Sequence, residues 1–276
     1  MAGAASLLAQ LPAPASPVVG VGTFIHVVAN LDKTIRFYGD RLGLELNGPP
    51  GPRAFSTNAV VENLYNAKGS QSRVAVFKIP GSPLGVEFVE FQNASQQPFR
   101  PRIQDPGASL LTLAVRDVDS VMAKLREDAT PMVGKGTIKD PDGFHIQLVQ
   151  GMSGARLSLT VYRMDRTLHV FRDLLGFQPH GTTAKVPGTD FEVEFVEFKG
   201  ADRPPVSVGI HDTGAGVLRL VVRDVDGLLQ NLKTAGVPVV TAGGVPVSVG
   251  DRHVVILRDP DNFFFQLFPQ PVTARQ

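Results

Sequence analysis

Two stretches of the chain join turn-forming carboxylates to an alternating strand, and they hold residues suited to chemistry. One reads Asp140-Pro141-Asp142-Gly143-Phe144-His145-Ile146-Gln147-Leu148, the other Asp259-Pro260-Asp261-Asn262-Phe263-Phe264-Phe265-Gln266-Leu267. Pro presets φ, Gly or Asn accepts the left-handed residue that closes such a turn, and the run that follows alternates as a strand does. Alternation puts His145 and Gln147 on one face, and Phe264 and Gln266 on the equivalent face. An imidazole beside an amide can ligate a metal or bond a substrate oxygen. A phenyl beside an amide leaves only the amide. A second repeated run, Val-Glu-Phe-Val-Glu-Phe, offers Glu87 or Glu90 in one copy and Glu194 or Glu197 in the other. The two carboxylates of each copy fall on opposite faces, and Glu87 and Glu194 are preferred as the inward ones.

The elements that must position these residues are also legible. Thr23 to Val28 reads as a strand. Leu31, Ile35, Tyr38 and Leu42 recur at helical spacing and stop at Gly43. Arg73 to Ile79 and Val86 to Phe91 form a hairpin across Pro80-Gly81-Ser82-Pro83. Leu110 to Val115 is a strand, and Val118, Val121, Met122 and Leu125 stripe a helix. Near residue 153 the pattern restarts. Leu157 to Val161 is followed by a helix through Met164, Leu168, Phe171 and Leu175. Leu218 to Val222 runs into Arg223-Asp224-Val225-Asp226, matching Arg116-Asp117-Val118-Asp119. Val225, Leu228, Leu229 and Leu232 stripe the last helix, and strands are expected over 237–241 and 254–257. The chain therefore divides into a tail (1–19), a first domain (20–152) and a second domain (153–276). The copies differ in length. Tyr38 to Phe91 is about twice as long as Phe171 to Phe198, and Asp224 to Asp259 is about half as long again as Asp117 to Asp140. Each half is thus trimmed on one side, which argues against a closed active site.

Composition narrows the function. Hydrophobic residues make up 43% and charged residues 19% of 276, enough for two cores. The formal net charge of +1 gives no electrostatic case for nucleic acid or a membrane surface. There is no cysteine, hence no disulfide frame and no thiolate metal site. No apolar run is long enough to span a bilayer. Ala4 to Ala9 is small and apolar, and the stretch to Pro17 is rich in Pro and Ala. It reads as a frayed arm or as the remnant of an export signal without its basic region. A soluble protein is expected, cytoplasmic by default or exported if that remnant is real.

Leu31-Asp32-Lys33-Thr34-Ile35-Arg36-Phe37-Tyr38, followed by Leu42-Gly43-Leu44, resembles the first helix of the vicinal oxygen chelate superfamily, which includes glyoxalase I, bleomycin-resistance proteins and extradiol dioxygenases. Met164 to Phe171 with Leu175-Gly176-Phe177 repeats it. The Arg-Asp-Val-Asp and Asp-Pro-Asp-Gly segments look like the second-module signatures. The resemblance implies an α+β fold of two tandem domains, each of paired βαβββ modules curling a sheet around a cavity with helices outside.

It also implies where a divalent ion would sit, on His, Gln or Glu of the first and last strands of each module. Those positions are Thr23, Glu87, Leu110 and Gln147 in the first domain, and Arg156, Glu194, Val217 and Gln266 in the second. Neither set suits a transition metal, because Leu110 and Val217 cannot ligate and Arg156 repels a cation. His26 falls on the opposite face and reads as packed under a helix or at the rim. The remaining metal set is His145, Gln147 and Glu87, for Zn, Ni, Mn or Fe. In the second cavity Arg156 and Arg219 are expected near Glu194 and Gln266, as a structural ion pair or as a fork for an organic anion. The favoured expectation is a small-molecule-binding protein without metal or other cofactor. The alternatives are a metal-dependent lyase, isomerase or dioxygenase, and a scaffold that dimerises through sheet edges. The expected partners are a small-molecule ligand and a second copy of the chain.

Overall fold

Each of four modules begins with a strand that runs straight into a capped helix. The computed structural model describes residues 15–49, 51, 53–198 and 206–271. Module 1 contains β1 (Val18–Val27), helix α1 (Leu31–Ile35) continuing as a wider π turn over Arg36–Arg41, β2 (Glu45–Asn47), α2 (Ala59–Leu64), β3 (Gln71–Lys78) and β4 (Gly85–Gln92). Module 2 contains β5 (Ser109–Ala114), α3 (Val118–Glu127), β6 (Met132–Gly134), β7 (Thr137–Lys139) and β8 (His145–Val149). Module 3 contains β9 (Ala155–Val161), α4 (Met164–Leu168) with a π turn over His169–Leu174, β10 (Gln178–His180), β11 (Thr183–Lys185) and β12 (Glu192–Glu197). Module 4 contains β13 (Gly216–Val222), α5 (Val225–Thr234), β14 (Val247–Val249), β15 (Arg252–Arg258) and β16 (Phe264–Pro269).

Caps explain where the helices start. The side chains of Asn30, Asp117 and Asp224 accept from Lys33 N, Ser120 N and Gly227 N at 2.9, 2.9 and 3.0 Å. Arg163 cannot cap α4. There Glu197 reaches across from β12 to accept from Met164 N at 3.1 Å, as Glu90 does for Leu31 N at 2.6 Å. This fixes the outward role of Glu90 and Glu197 and leaves Glu87 and Glu194 on the other face.

The strands form two eight-stranded sheets, and neither sheet is built from one sequence half. One has the order β14-β15-β16-β13-β1-β4-β3-β2 and the other β10-β11-β12-β9-β5-β8-β7-β6. Module 1 therefore shares a sheet with module 4, and module 2 with module 3. The joint in the first sheet is the antiparallel pair β1–β13, with Ile25 opposite Val217 and Phe24 opposite Leu218. The joint in the second is β5–β9, with Leu110 opposite Ser158. The repeat itself is as read from the sequence, whereas the cavities assemble across it. The expected tail also ends earlier than residue 19, because β1 starts at Val18 and Pro17 O accepts from Arg223 N at 3.1 Å. Residues 1–14 lie outside the described residues. The strand expected over 237–241 is reduced to a single bridge, Val239 to Leu257.

On their helix-bearing faces the two sheets share one continuous core, with Phe24, Phe88 and Leu218 from the first, Leu111, Ile146 and Phe195 from the second, and Leu31, Leu125, Phe171 and Leu228 from the helices between. The opposite face of the first sheet has a core of its own. Ile25, Val27, Val89, Phe91, Val217, Ile256 and Phe264 pack there against Leu64, Tyr65, Val208 and Ile210. Helix α2 covers this face and packs against β14 and β15. The length differences thus resolve physically: both long segments, in modules 1 and 4, lid one sheet, and both trimmed segments leave the other sheet without that cover.

The two Asp-Pro-Asp turns tie the modules together in the other direction. Asp142 accepts from Ala29 N and Asp261 from Tyr162 N, each at 3.0 Å, so each turn grips the helix entry of the preceding module. Asp140 and Asp259 brace the turns through the backbone N–H groups of Asp142 and Phe144, and of Asp261 and Phe263. The copies then diverge. Asp140 Oδ2 accepts from the Tyr38 hydroxyl at 3.0 Å, whereas Phe171 stands at the matching position and Asp259 Oδ2 is buried without a partner. Burial, then the charge of Asp261, pushes the Asp259 carboxyl up to about 8.

Two predictions follow from these contacts. Residues 15–152 and 153–271 produced separately should each lack a cooperative melt, because β1 and β13 would lose their partners, and co-expression should restore one. Independent cooperative unfolding of both halves would contradict the cross-pairing. The second concerns pH. Folded Asp259 holds a proton up to pH of about 8 that the unfolded chain releases near 4, so its stabilising protonation is complete below pH 4 and lost as pH rises through 8. The loss is on the order of 5 kcal/mol between pH 4 and 9. Asp259→Asn should flatten this slope and melt higher than the native chain at pH 9. Parallel pH–stability curves for the two proteins would refute the assignment.

Candidate functional site

On the lidded sheet, strand alternation brings Thr23, Glu87, Arg219 and Gln266 to one face above the apolar core. Arg219 Nη1 and Nη2 donate to Glu87 at 2.8 and 3.3 Å, and Arg219 Nε donates to Gln266 Oε1 at 2.6 Å. The Thr23 hydroxyl donates to Glu87 Oε2 at 3.3 Å. The guanidinium lies over the Phe268 ring, 5.3 Å from its centroid. Gly22 makes this arrangement possible, since a Cβ there would come within 3.0 Å of Arg219 Cδ. The pair is partly exposed: the side chains of Arg219 and Glu87 retain 21% and 14% of their exposure.

Near this pair lies Tyr65, carried in by the end of α2. Its hydroxyl is buried and has no hydrogen-bond partner. Burial, then the Glu87 charge, raises its pKa well above the usual phenol range, with Arg219 opposing, so the hydroxyl lies within the field of that pair and stays protonated.

The four positions implied for a metal converge here as Thr23, Glu87, Val217 and Gln266, drawn from modules 1 and 4. They do not fit a divalent ion. Val217 has no donor, and the guanidinium of Arg219 takes the lone pairs of both Glu87 and Gln266.

The remaining expected site residues lie on the other sheet. Arg156 stands opposite Thr112, Gln147 beside Thr112, and His145 beside Leu110. Glu194 accepts from the Ser158 hydroxyl at 2.6 Å. Gln147 is held by the Thr137 hydroxyl and by Lys135 O. Burial, with the Lys139 charge adding to it, lowers the pKa of His145. Two expected groupings therefore do not form. Arg156 does not meet Arg219, because β9 and β13 belong to different sheets, and the carboxylate that pairs Arg219 is Glu87 rather than Glu194. His145, Gln147 and Glu87 do not meet for the same reason.

A further group was invisible to strand parity alone. His26 lies under the helices, on the face opposite Thr23, and is fully buried. Its Nδ1 lies 3.3 Å from Ala215 O and its Nε2 3.2 Å from Asp140 Oδ2. Asp142 stands beside them in the same turn. Burial draws the His26 pKa down, but the neighbouring carboxylates, Asp140 foremost, outweigh it and the net shift is upward. Burial and then the Asp140 charge raise the pKa of Asp142, with His26 pulling it back. The sequence signal was present in the Asp-Pro-Asp run, where the aspartates have an obvious turn role that hides a second one.

Known proteins place this architecture. The family model described as Glyoxalase/Bleomycin resistance protein/Dioxygenase superfamily matches residues 20–148 and 155–267. Glyoxalase I from Zea mays aligns with a TM-score of 0.57 over 90% of this chain and 91% of its own, at 15% identity. A Bacillus subtilis protein described as a candidate dioxygenase aligns with a TM-score of 0.56 over 93% of this chain and 87% of its own, at 14% identity. Likeness at such identity speaks for the fold alone. No curated protein matches the chain by sequence. No helix among the described residues is long and apolar enough to cross a membrane. The two matched segments take in most of the sequence, and the chain belongs to the glyoxalase/bleomycin resistance protein/dioxygenase superfamily.

Proposed function

We propose that this chain is a small-molecule-binding member of the superfamily that takes an organic anion at Arg219 and holds no divalent ion there. The observation that carries the reading is the Tyr65 hydroxyl, buried beside the Arg219–Glu87 pair with no protein partner. Native proteins rarely leave such a group unsatisfied, and a buried donor calls for an acceptor. Arg219 adds to the demand. Of its five N–H groups, Gln266 engages that on Nε and Glu87 one on each Nη nitrogen, which leaves one donor on Nη1 and one on Nη2, on opposite sides of the guanidinium, each able to take one oxygen of an anion. Phe268 and the Tyr65 ring supply apolar walls for the body of such a ligand. On this reading Glu87 and Gln266 orient the fork, and Arg156, Glu194, His145 and Gln147 form a separate polar face on the other sheet.

Thermal melts in acetate, malonate or inorganic phosphate test the proposal. The native chain should be stabilised, by about 2.7 kcal/mol at a hundredfold excess over Kd. The double variant Arg219→Met/Glu87→Gln, which avoids a stranded carboxylate, should lose the response. Tyr65→Phe should be no less stable than the native chain without ligand, since it removes an unpaired hydroxyl, and should respond less to the anions. An unchanged response in the double variant, or a lower melt in Tyr65→Phe without ligand, counts against the site.

A further inference from the structure

Among the described residues one group of metal-ligating side chains lies apart from the Arg219 pocket. His26, Asp140 and Asp142 place one ligand atom each within 4.8 Å of one another, and all three side chains are buried. We infer that His26 Nε2 and the carboxylates of Asp140 and Asp142 form a structural site for a divalent transition-metal ion that pins module 1 to module 2.

Two atoms in the group point to a missing partner. His26 Nε2 and Asp142 Oδ2 are both buried without a hydrogen bond. The Nε2 approach to Asp140 Oδ2 at 3.2 Å is close but not aligned for one. The other ring nitrogen explains why. Ala215 O can only accept, so Nδ1 carries a hydrogen, and Nε2 faces the carboxylates, where an ion could take the place of a proton. A backbone carbonyl that fixes the tautomer in this way is the usual outer support of a metal-binding histidine. The carboxylates are supported likewise: Asp140 Oδ1 by the N–H groups of Asp142 and Phe144, and Asp142 Oδ1 by Ala29 N. The second oxygen of each remains for an ion, with the Tyr38 hydroxyl on that of Asp140.

Geometry and charge agree with this. Two donors 3.2 Å apart, each about 2.1 Å from an ion, subtend about 100°, as neighbouring ligands do in tetrahedral and octahedral sites. A neutral imidazole with two carboxylates carries two negative charges in a buried place, and a divalent ion cancels them. The other repeat supplies an internal control. Leu159 and Phe171 stand where His26 and Tyr38 do, and the turn there relies on a proton instead. One imidazole with two carboxylates suits Zn2+, Mn2+ or Fe2+. Phe144 and Phe88 pack against the imidazole, 4.8 and 6.2 Å between ring centroids, and leave no place for a substrate, so the ion is structural.

The test uses the full chain without a polyhistidine tag, refolded from denaturant with Zn2+ or Mn2+, freed of excess ion and assayed by elemental mass spectrometry. The expected result is a stoichiometric ion in the native chain and in Arg219→Met/Glu87→Gln, and its loss in Asp142→Asn and His26→Leu. Asp142→Asn keeps an oxygen for Ala29 N and serves if His26→Leu does not fold. Refolding with Co2+ gives a second readout, a visible absorption band in the native chain that Asp142→Asn abolishes. A native chain that refolds without metal overturns the inference and leaves the anion pocket standing. An ion retained by Asp142→Asn but lost from Arg219→Met/Glu87→Gln overturns both.

Discussion

The antiparallel pairing of β1 with β13 is the contact on which the rest of the molecule depends. It joins the first module to the last, with Ile25 opposite Val217. A strand pair of this kind fixes register over several residues, and a one-residue slip would turn every side chain to the wrong face. With that register set, Glu87 on β4 and Gln266 on β16 flank the same two central strands, and Arg219 is the residue that can reach both. The Asp-Pro-Asp turns add the complementary constraint, clamping module 2 onto module 1 and module 4 onto module 3. Sheets link the modules one way and turns the other, so the four form a closed ring in which no half is complete.

Closure has unequal consequences for the two sheets. The long segments of modules 1 and 4 meet over one of them, where α2 packs on β14 and β15 and brings Tyr65 down toward Glu87 and Arg219. There the positions that the resemblance implies for an ion surround a guanidinium bonded to Glu87 and Gln266. The guanidinium is a positive centre facing Glu87 with half the charge of a divalent ion. It is also a flat donor array, whose end edge Glu87 occupies and whose Nε Gln266 occupies.

Much of this was legible in the sequence. The strand–helix units, the restart near residue 153 and the inward parity of Glu87, Glu194, Gln147 and Gln266 all follow from local periodicity. Parity also turned His26 correctly away from the cavity. What local pattern could not supply was pairing across the chain. Arg156 and Arg219 have equal claims to an inward place in their own strands, yet β9 and β13 lie in different sheets. Partner choice among similar strands is a non-local free-energy difference, carried here by which apolar faces fit and which segments are long enough to cover them. The length asymmetry between the repeats held that information, because two long segments cover a cavity only if they lie on the same sheet.

The two turns show how a duplicated sequence can solve one electrostatic problem in two ways. Each must bury two aspartates to grip a helix entry, and a buried carboxylate without compensation is costly. In the second repeat the neighbours are Leu159 and Phe171, which offer nothing, and the cost is met by leaving Asp259 protonated near neutrality. In the first, His26 and Tyr38 face Asp140, so its carboxyl finds polar partners at the same depth. Protonation is the simpler solution and needs no partner, but it ties the strength of the grip to pH. The first repeat instead brings a ring nitrogen with no aligned partner into the core beside the carboxylates. It exchanges a problem of charge for one of coordination, which a divalent ion between Nε2 and the two free oxygens would resolve.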